Sequence, residues 1–185
     1  MTVIITIDGN IGSGKSTIID ALYKKYSEDK DIKKRIYFLK EPVDTWSNIK
    51  NEHGNSILEL FYENQEKYSF SFQMVAYISR LSSLKKILKE NYDIIVCERS
   101  VYTDRYVFAE MLYNSGLMEQ INYKIYTMWF DEFIKDLPTF IKIYMVTDPD
   151  VAIKRIKNRD RVGEDKITYD YIESCHAMHH NWLWY

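Results

Sequence analysis

At 185 residues the chain has room for one compact domain and is short for two. Hydrophobic residues at 46% and charged residues at 28% are ordinary for a globular protein. The formal net charge of -2 excludes a global cationic field of the kind that holds a nucleic-acid polymer or an anionic membrane, so any phosphate chemistry must rest on a local positive cluster. No apolar run has the length of a membrane span. The run Val3–Ile7 begins almost at once, without a basic prefix or a cleavage pattern, so neither a signal nor a transit peptide is expected. Two well-separated cysteines, Cys97 and Cys175, predict neither a disulfide framework nor a metal site, and fit a reducing cytoplasm, that of a host where the source is viral.

In chain order, Thr2–Ile7 reads as a strand that runs into Asp8-Gly9, and a helix is predicted over Lys15–Ser27. The second strand, Ile36–Leu39, leads to Glu41-Pro42. Helices over Ser56–Tyr62 and Glu66–Glu90 follow, then a third strand, Ile94–Cys97, which delivers Glu98-Arg99. Thr103–Tyr113 and Glu119–Lys135 are predicted helical, and Phe140–Val146 is the fourth strand. Asp148-Pro149 reads as an N-cap followed by proline at the first position of a helix over Pro149–Asn158. A last helix is predicted over Thr168–Leu183. There is no internal repeat and no low-complexity linker, so one domain over 1–185 is expected. Strands alternating with helices imply a parallel sheet covered on both faces. Ligands bind outside the carboxyl ends of such strands, where every strand here presents a polar or charged residue.

Gly9-Asn10-Ile11-Gly12-Ser13-Gly14-Lys15-Ser16 fits G-x-x-x-x-G-K-[ST], with Thr17 next, between a strand and a helix as that motif requires. Glycines let backbone N–H groups close around phosphate oxygens, and the helix N-terminus adds partial positive charge. Lys15 is expected to reach the β- and γ-phosphates of ATP, and Ser16 to coordinate Mg²⁺. No Asn-Lys-x-Asp motif occurs, and the third strand ends in Glu98-Arg99 rather than in an Asp-x-x-Gly loop, which argues against a switch GTPase.

Glu41-Pro42-Val43-Asp44-Thr45-Trp46, Phe72-Gln73, Ser79-Arg80 and the run from Glu98 through Tyr106 resemble deoxynucleoside kinases, most of all the deoxycytidine and deoxyguanosine kinase branch. The resemblance covers nearly the whole chain. It implies an α/β phosphate-loop NTPase fold with a central parallel sheet. Four strands are visible here, whereas family members usually continue past Trp182-Leu183 into a fifth strand and a loop that touches the donor adenine. The implied reaction is transfer from ATP to the 5′-hydroxyl of a deoxynucleoside, in nucleotide salvage.

By the same resemblance, Glu41 is the general base, Arg99 contacts the 5′-oxygen and Glu98 lies near Mg²⁺. Gln73, Ala76, Tyr77 and Arg80 fall at i, i+3, i+4 and i+7, one face of a helix. The family glutamine reads the base edge with its amide. Phe72 and Phe108 match aromatics that sandwich the base, and Asp104 and Phe108 are spaced i, i+4. An Arg80/Asp104 pair resembles enzymes for deoxycytidine and purine deoxynucleosides, where the carboxylate accepts from an exocyclic amine. Tyr62 and Glu164 match residues at the sugar 3′-hydroxyl, with Val43, Trp46 and Leu58 lining the pocket. Arg155, Arg159 and Arg161 look like the family's arginine-rich lid over the triphosphate, a segment expected over about 159–167. His176, His179 and Trp182 resemble a family helix pattern and are expected to pack. A homodimer through helix faces is the family expectation. The rival readings are a thymidylate-type nucleoside monophosphate kinase and a nucleotide-binding subunit without catalysis.

Overall fold

The computed structural model describes residues 2–184. Strands β1 (Val3–Gly9), β2 (Ile36–Leu39), β3 (Ile94–Glu98) and β4 (Phe140–Met145) form one parallel sheet in the order β2-β3-β1-β4. The central strands β1 and β3 are mostly buried and read as continuous apolar runs. The edge strands β2 and β4 were legible as short β-branched and aromatic runs, although Ile141 and Ile143 of β4 are exposed. Ile4 and Ile95 pack on one side of the sheet with Leu84, and Ile7 and Val96 on the other with Ile19. β1 is longer at its end than expected: Asp8 and Gly9 remain in register with Tyr144 and Met145, and Glu98 closes β3. β4 in turn stops one residue early, at Met145, because its partner β1 ends at Gly9.

The helices are α1 (Lys15–Glu28), α2 (Val43–Asn48), α3 (Ile57–Glu63), α4 (Gln65–Ile87), α5 (Val101–Thr103), α6 (Glu110–Asn114), α7 (Gln120–Phe133), α8 (Pro149–Arg159) and α9 (Tyr169–Leu183). Ser56 and Thr168, expected inside helices, are N-caps. The Ser56 hydroxyl accepts from Glu59 N and the Glu59 side chain answers at Ser56 N, a reciprocal box that satisfies two otherwise orphaned donors. Asp148 caps α8 ahead of Pro149 as expected. α2 was not anticipated: its six residues are too few for a helical period to show. The segment expected as one helix over Thr103–Tyr113 is divided. α5 gives way to a π-helical turn over Asp104–Ala109 before α6 resumes. Such insertions are rare and concentrate at functional sites.

The largest apolar cluster fills the space between α3, α4, α7, α9 and the π turn, around Phe61, Tyr77, Leu112, Tyr126 and Phe130. It fixes the elements that wall the acceptor side of the cleft described below. Tyr77 belongs here: its hydroxyl donates to Phe130 O, so it leaves the face shared by Gln73, Ala76 and Arg80. Cys97 and Cys175 are free and buried. Among the described residues no helix is long and apolar enough to cross a membrane.

Candidate active site

The loop between β1 and α1 is pressed against two other elements. A Cβ on Gly9 would meet Met145 O at 2.6 Å, and one on Gly12, whose φ is 75°, would meet Ala152 O of α8 at 2.5 Å. Only glycine fits either position without backbone movement. The Asn10 side chain staples the loop to α9, its Nδ2 donating to Ile172 O at 2.9 Å. Lys15 Nζ donates to Gly9 O (3.1 Å), Asn10 O (2.7 Å) and Ser13 Oγ (3.3 Å). None of these partners is a carboxylate. Burial, reinforced by the nearby Arg99, therefore lowers its pKa to about 7, with Glu41, Glu98 and Asp8 offsetting only part of the loss. Arg155 Nη1 reaches Ser13 O at 3.1 Å.

At the start of α1, Ser16 Oγ donates to Glu98 Oε1 at 2.5 Å, and the other oxygen of Glu98 accepts from Glu41 N at 3.5 Å. A hydroxyl and a carboxylate converge beside the loop, a hard-oxygen donor set of the kind Mg²⁺ prefers.

Glu41 lies two residues beyond the end of β2. Its Oε1 accepts from Arg80 Nη2 at 2.8 Å and from Arg99 Nε at 3.1 Å, which leaves Oε2 for another donor. Burial alone would push this carboxyl up. Arg99 and Arg80, with Lys15 behind them, outweigh it and hold Glu41 well below the usual carboxylate range. Arg80 also donates through Nε to Asp104 Oδ2 (2.8 Å) and through Nη1 to Glu98 O (3.0 Å). A single guanidinium thus orients both Glu41 and Asp104. Burial pushes Asp104 up, and Arg80 pulls it partly back.

Arg99 has a φ of 69°, costly for a residue with a side chain. Asp8, fully buried at the end of β1, holds the turn in place. It accepts from Ser100 N at 2.8 Å and from the Thr103 hydroxyl at 2.5 Å through one oxygen, and from the Thr6 hydroxyl at 2.6 Å through the other.

Lys15, Ser16, Glu41, Arg80, Glu98, Arg99, Asp104 and Arg155 all border one cleft of about 1020 Å³, with Asp8 behind it. Its acceptor half is walled by Val43, Trp46, Leu58, Tyr62, Phe72, Ala76, Asp104 and Phe108. Phe72 stacks on Phe61 with centroids 4.5 Å apart and meets Trp46 edge-on at 5.5 Å. Trp46 Nε1 is in turn held by Ser79 Oγ at 2.9 Å. Gln73 lines the same half; it is 2% exposed, and its Oε1 has no hydrogen-bond partner among the described residues. A buried amide oxygen without a partner costs about 1–3 kcal/mol, so this one is aimed at something that supplies a donor. Burial and the neighbouring Glu164 raise the Tyr62 hydroxyl well above its ordinary pKa, keeping it a neutral donor.

The sequence-predicted residues converge here with two exceptions. Ile11, Gly12, Ser13, Gly14, Lys15, Ser16 and Thr17 face the cleft, whereas Gly9 and Asn10 stand behind the loop and serve it through their carbonyls. Asp104 and Phe108 both line the cleft although their turn is π-helical. Arg155, Arg159 and Arg161 line the opposite rim. Arg159 and Arg161 are engaged by Glu164, the former at 2.5 Å and the latter at 3.2 Å. Asp8 and His179 were not singled out as site residues. An aspartate closing an otherwise apolar strand was a usable signal for the first; for the second the sequence offered a helix pattern alone.

An anion cradle at a helix N-terminus, opening into a second pocket that holds an unpaired amide and an arginine-bound carboxylate, defines a phosphate-loop enzyme with two adjoining substrate sites. Residues 5–185 match the deoxynucleoside kinase family. The chain is 36% identical to the deoxycytidine kinase of Mus musculus, aligned over 97% of the chain and 74% of that protein. It is 32% identical to a probable deoxycytidine kinase of fowlpox virus, over 97% of the chain and 71% of the viral protein. It is 30% identical to mitochondrial thymidine kinase 2 of Macaca fascicularis, over 97% and 64%. The chain belongs to the deoxynucleoside kinase family, and is a kinase that phosphorylates deoxynucleosides at the expense of ATP. These matches do not favour a thymidylate-type kinase or a subunit without catalysis.

Proposed function

We propose that the chain transfers the γ-phosphoryl group of ATP to the 5′-hydroxyl of deoxycytidine or a purine deoxynucleoside in preference to thymidine. The observation that carries this reading is the Asp104–Arg80–Glu41 chain of hydrogen bonds, which couples a base-reading carboxylate to the acid beside the phosphate loop. Asp104 Oδ1 and the Gln73 amide suit the amino and ring-nitrogen edge of cytosine or a purine. A thymine O4 would face the Asp104 carboxylate with two acceptors opposed.

Glu41 takes the hydroxyl proton through Oε2. Two arginines make it a weak base, which suits phosphoryl transfer: its transition state is loose, little charge builds on the nucleophile early, and the proton leaves late. Arg99 holds the acceptor oxygen, Lys15 and the loop amides hold the terminal phosphates, and Arg155, Arg159 and Arg161 close over them and exclude water. Ser16 and Glu98 would hold Mg²⁺, which would neutralise phosphate charge between them. Tyr62 and Glu164 face the sugar 3′-hydroxyl. The stretch 159–167 is read as the lid of a single domain, and the cytoplasm, with its reducing conditions, suits both free cysteines. A homodimer is proposed through α7, where Ile121, Met128, Trp129 and Phe133 are exposed, as is Ile78 of α4. Light scattering of the Met128→Glu variant tests it, a dimeric variant removing this assignment.

The main test is an acceptor screen with labelled ATP against the four deoxynucleosides and their monophosphates. Deoxycytidine or a purine deoxynucleoside should be labelled fastest, and the monophosphates not at all. The Arg80→Met/Asp104→Ala variant should narrow the preference against thymidine, at a reduced rate because Arg80 also holds Glu41. An unchanged order of bases in that variant would remove the specificity assignment.

A further inference from the structure

His179 of α9 is fully buried, far from the phosphate loop in sequence, and touches Arg99. Its Nδ1 lies 2.7 Å from Cys175 O, and its Nε2 lies 3.2 Å from Arg99 Nη1. A carbonyl can only accept and a guanidinium can only donate. The two partners therefore fix the ring without reference to hydrogen positions: Nδ1 carries the proton, and Nε2 presents its lone pair. We infer that His179 is a positioning residue for Arg99, holding the guanidinium in place as a neutral, Nδ1-protonated acceptor. The inference rests on the reading of Arg99 as a group that faces the acceptor oxygen.

The surroundings favour the neutral ring. Burial, then the Arg99 charge, lowers its pKa well below the ordinary histidine range; Lys15 and His176 act in the same direction, and the Cys175 carbonyl opposes them. The ring is clamped edge-on by Phe108, at 5.9 Å, and lies parallel to Tyr144 at 6.3 Å. Phe108 also lies under the Arg99 guanidinium, at 4.8 Å. Arg99 Nη1 donates to Gly9 O at 2.9 Å as well, while Nε points to Glu41. The guanidinium is thus anchored behind by His179 and Gly9 and in front by Glu41, the one of the three that also serves the acceptor hydroxyl. When Glu41 turns to that proton, the rear anchors must keep Arg99 still. α9 supplies the histidine and, through Ile172 O, the staple on Asn10, so one helix supports both the arginine and the phosphate loop.

Two measurements on the full chain test this. Histidine-selective ¹⁵N NMR of the wild type at neutral pH should show His179 with Nδ1 protonated and Nε2 bare; an Nε2-protonated or doubly protonated ring overturns the inference. Steady-state kinetics should show kcat reduced roughly tenfold to a hundredfold in His179→Met, whose thioether sulfur is only a weak acceptor, with KM for ATP nearly unchanged. His179→Gln places an amide oxygen near the lost nitrogen and should recover most of that rate. A His179→Met rate equal to wild type, or a folded His179→Gln as impaired as His179→Met, overturns it. Should His179→Met fail to fold, the tautomer and the Gln variant decide between them. Arg99→Lys is assayed in parallel: if it keeps its rate, the role of Arg99 itself falls, whatever tautomer His179 holds.

Discussion

Two carboxylates in the cleft are each gripped by two arginines, and the grips differ in kind. Glu41 is held by Arg80 and Arg99, whose side chains are 5% and 3% exposed. Glu164 is held by Arg159 and Arg161, whose side chains are 34% and 35% exposed. The inner set has further partners on every arm, Asp104 and Glu98 O for Arg80, Gly9 O and His179 for Arg99. Removing one member would strand buried charge. The outer arginines stay solvated, so exchanging a carboxylate for a phosphate costs them little. The same ion chemistry gives a fixed template at the acceptor and an exchangeable latch at the donor.

The sharpest way to break this contrast is to neutralise each carboxylate in turn. Glu41→Gln should lower kcat by about 10²–10⁴, the scale of a lost general base, with KM for the deoxynucleoside changed far less. Glu164→Gln should act mainly on KM for the deoxynucleoside, by roughly tenfold, the scale of one lost hydrogen bond to a charged group. Equal losses in kcat for the two would mean that the inner set is no more a template than the outer.

Removing the cations gives a second separation, in stability. Arg80→Met leaves the buried Asp104 without its bonded cation and Glu41 with Arg99 alone, and should destabilise the fold by about 3–5 kcal/mol in urea unfolding. Arg159→Ala leaves Arg161 on the buried Glu164 carboxylate and removes an arginine that is itself a third exposed, so it should cost less, about 1 kcal/mol, while raising KM for ATP. A comparable loss for Arg159→Ala would show the latch to be structural.

How much of this was legible in sequence follows the same division. The phosphate loop is consecutive in the chain, so its spacing alone announces it. Glu41, Glu98 and Arg99 were legible because parallel strands deliver their ends to one edge, whatever the loops do. The support behind them was not. Asp8 clamps the Arg99 turn across 92 positions and His179 meets Arg99 across 80, and neither separation leaves a local pattern. The π turn that carries Asp104 and Phe108 was read as α because its apolar spacing is the same over so few residues. Nor could the sequence show that Arg80 serves two carboxylates, or that Glu164 holds two of the lid arginines.

The smallest expected effect concerns Lys15, the one inner cation without a direct carboxylate partner. Its pKa of about 7 lies far below the ordinary lysine value of 10.5. Between those limits the folded lysine is largely neutral while the unfolded one is charged. The unfolded chain therefore binds more protons, and stability of the unliganded enzyme should rise with pH across that window. A bound triphosphate favours the charged form, so binding must take up a proton and affinity for ATP should weaken as pH rises above about 7. Calorimetry at pH 8 in two buffers of different ionisation enthalpy reads that uptake directly, and it should approach one proton per ATP. Glu164→Gln, in the outer set, should leave the uptake unaltered. Glu41→Gln removes a charge that helps keep Lys15 protonated, and should extend the uptake to lower pH. No uptake in the wild type would mean that Lys15 is already charged in the unliganded enzyme, and the inner set would then lack the one group whose charge the substrate itself must restore.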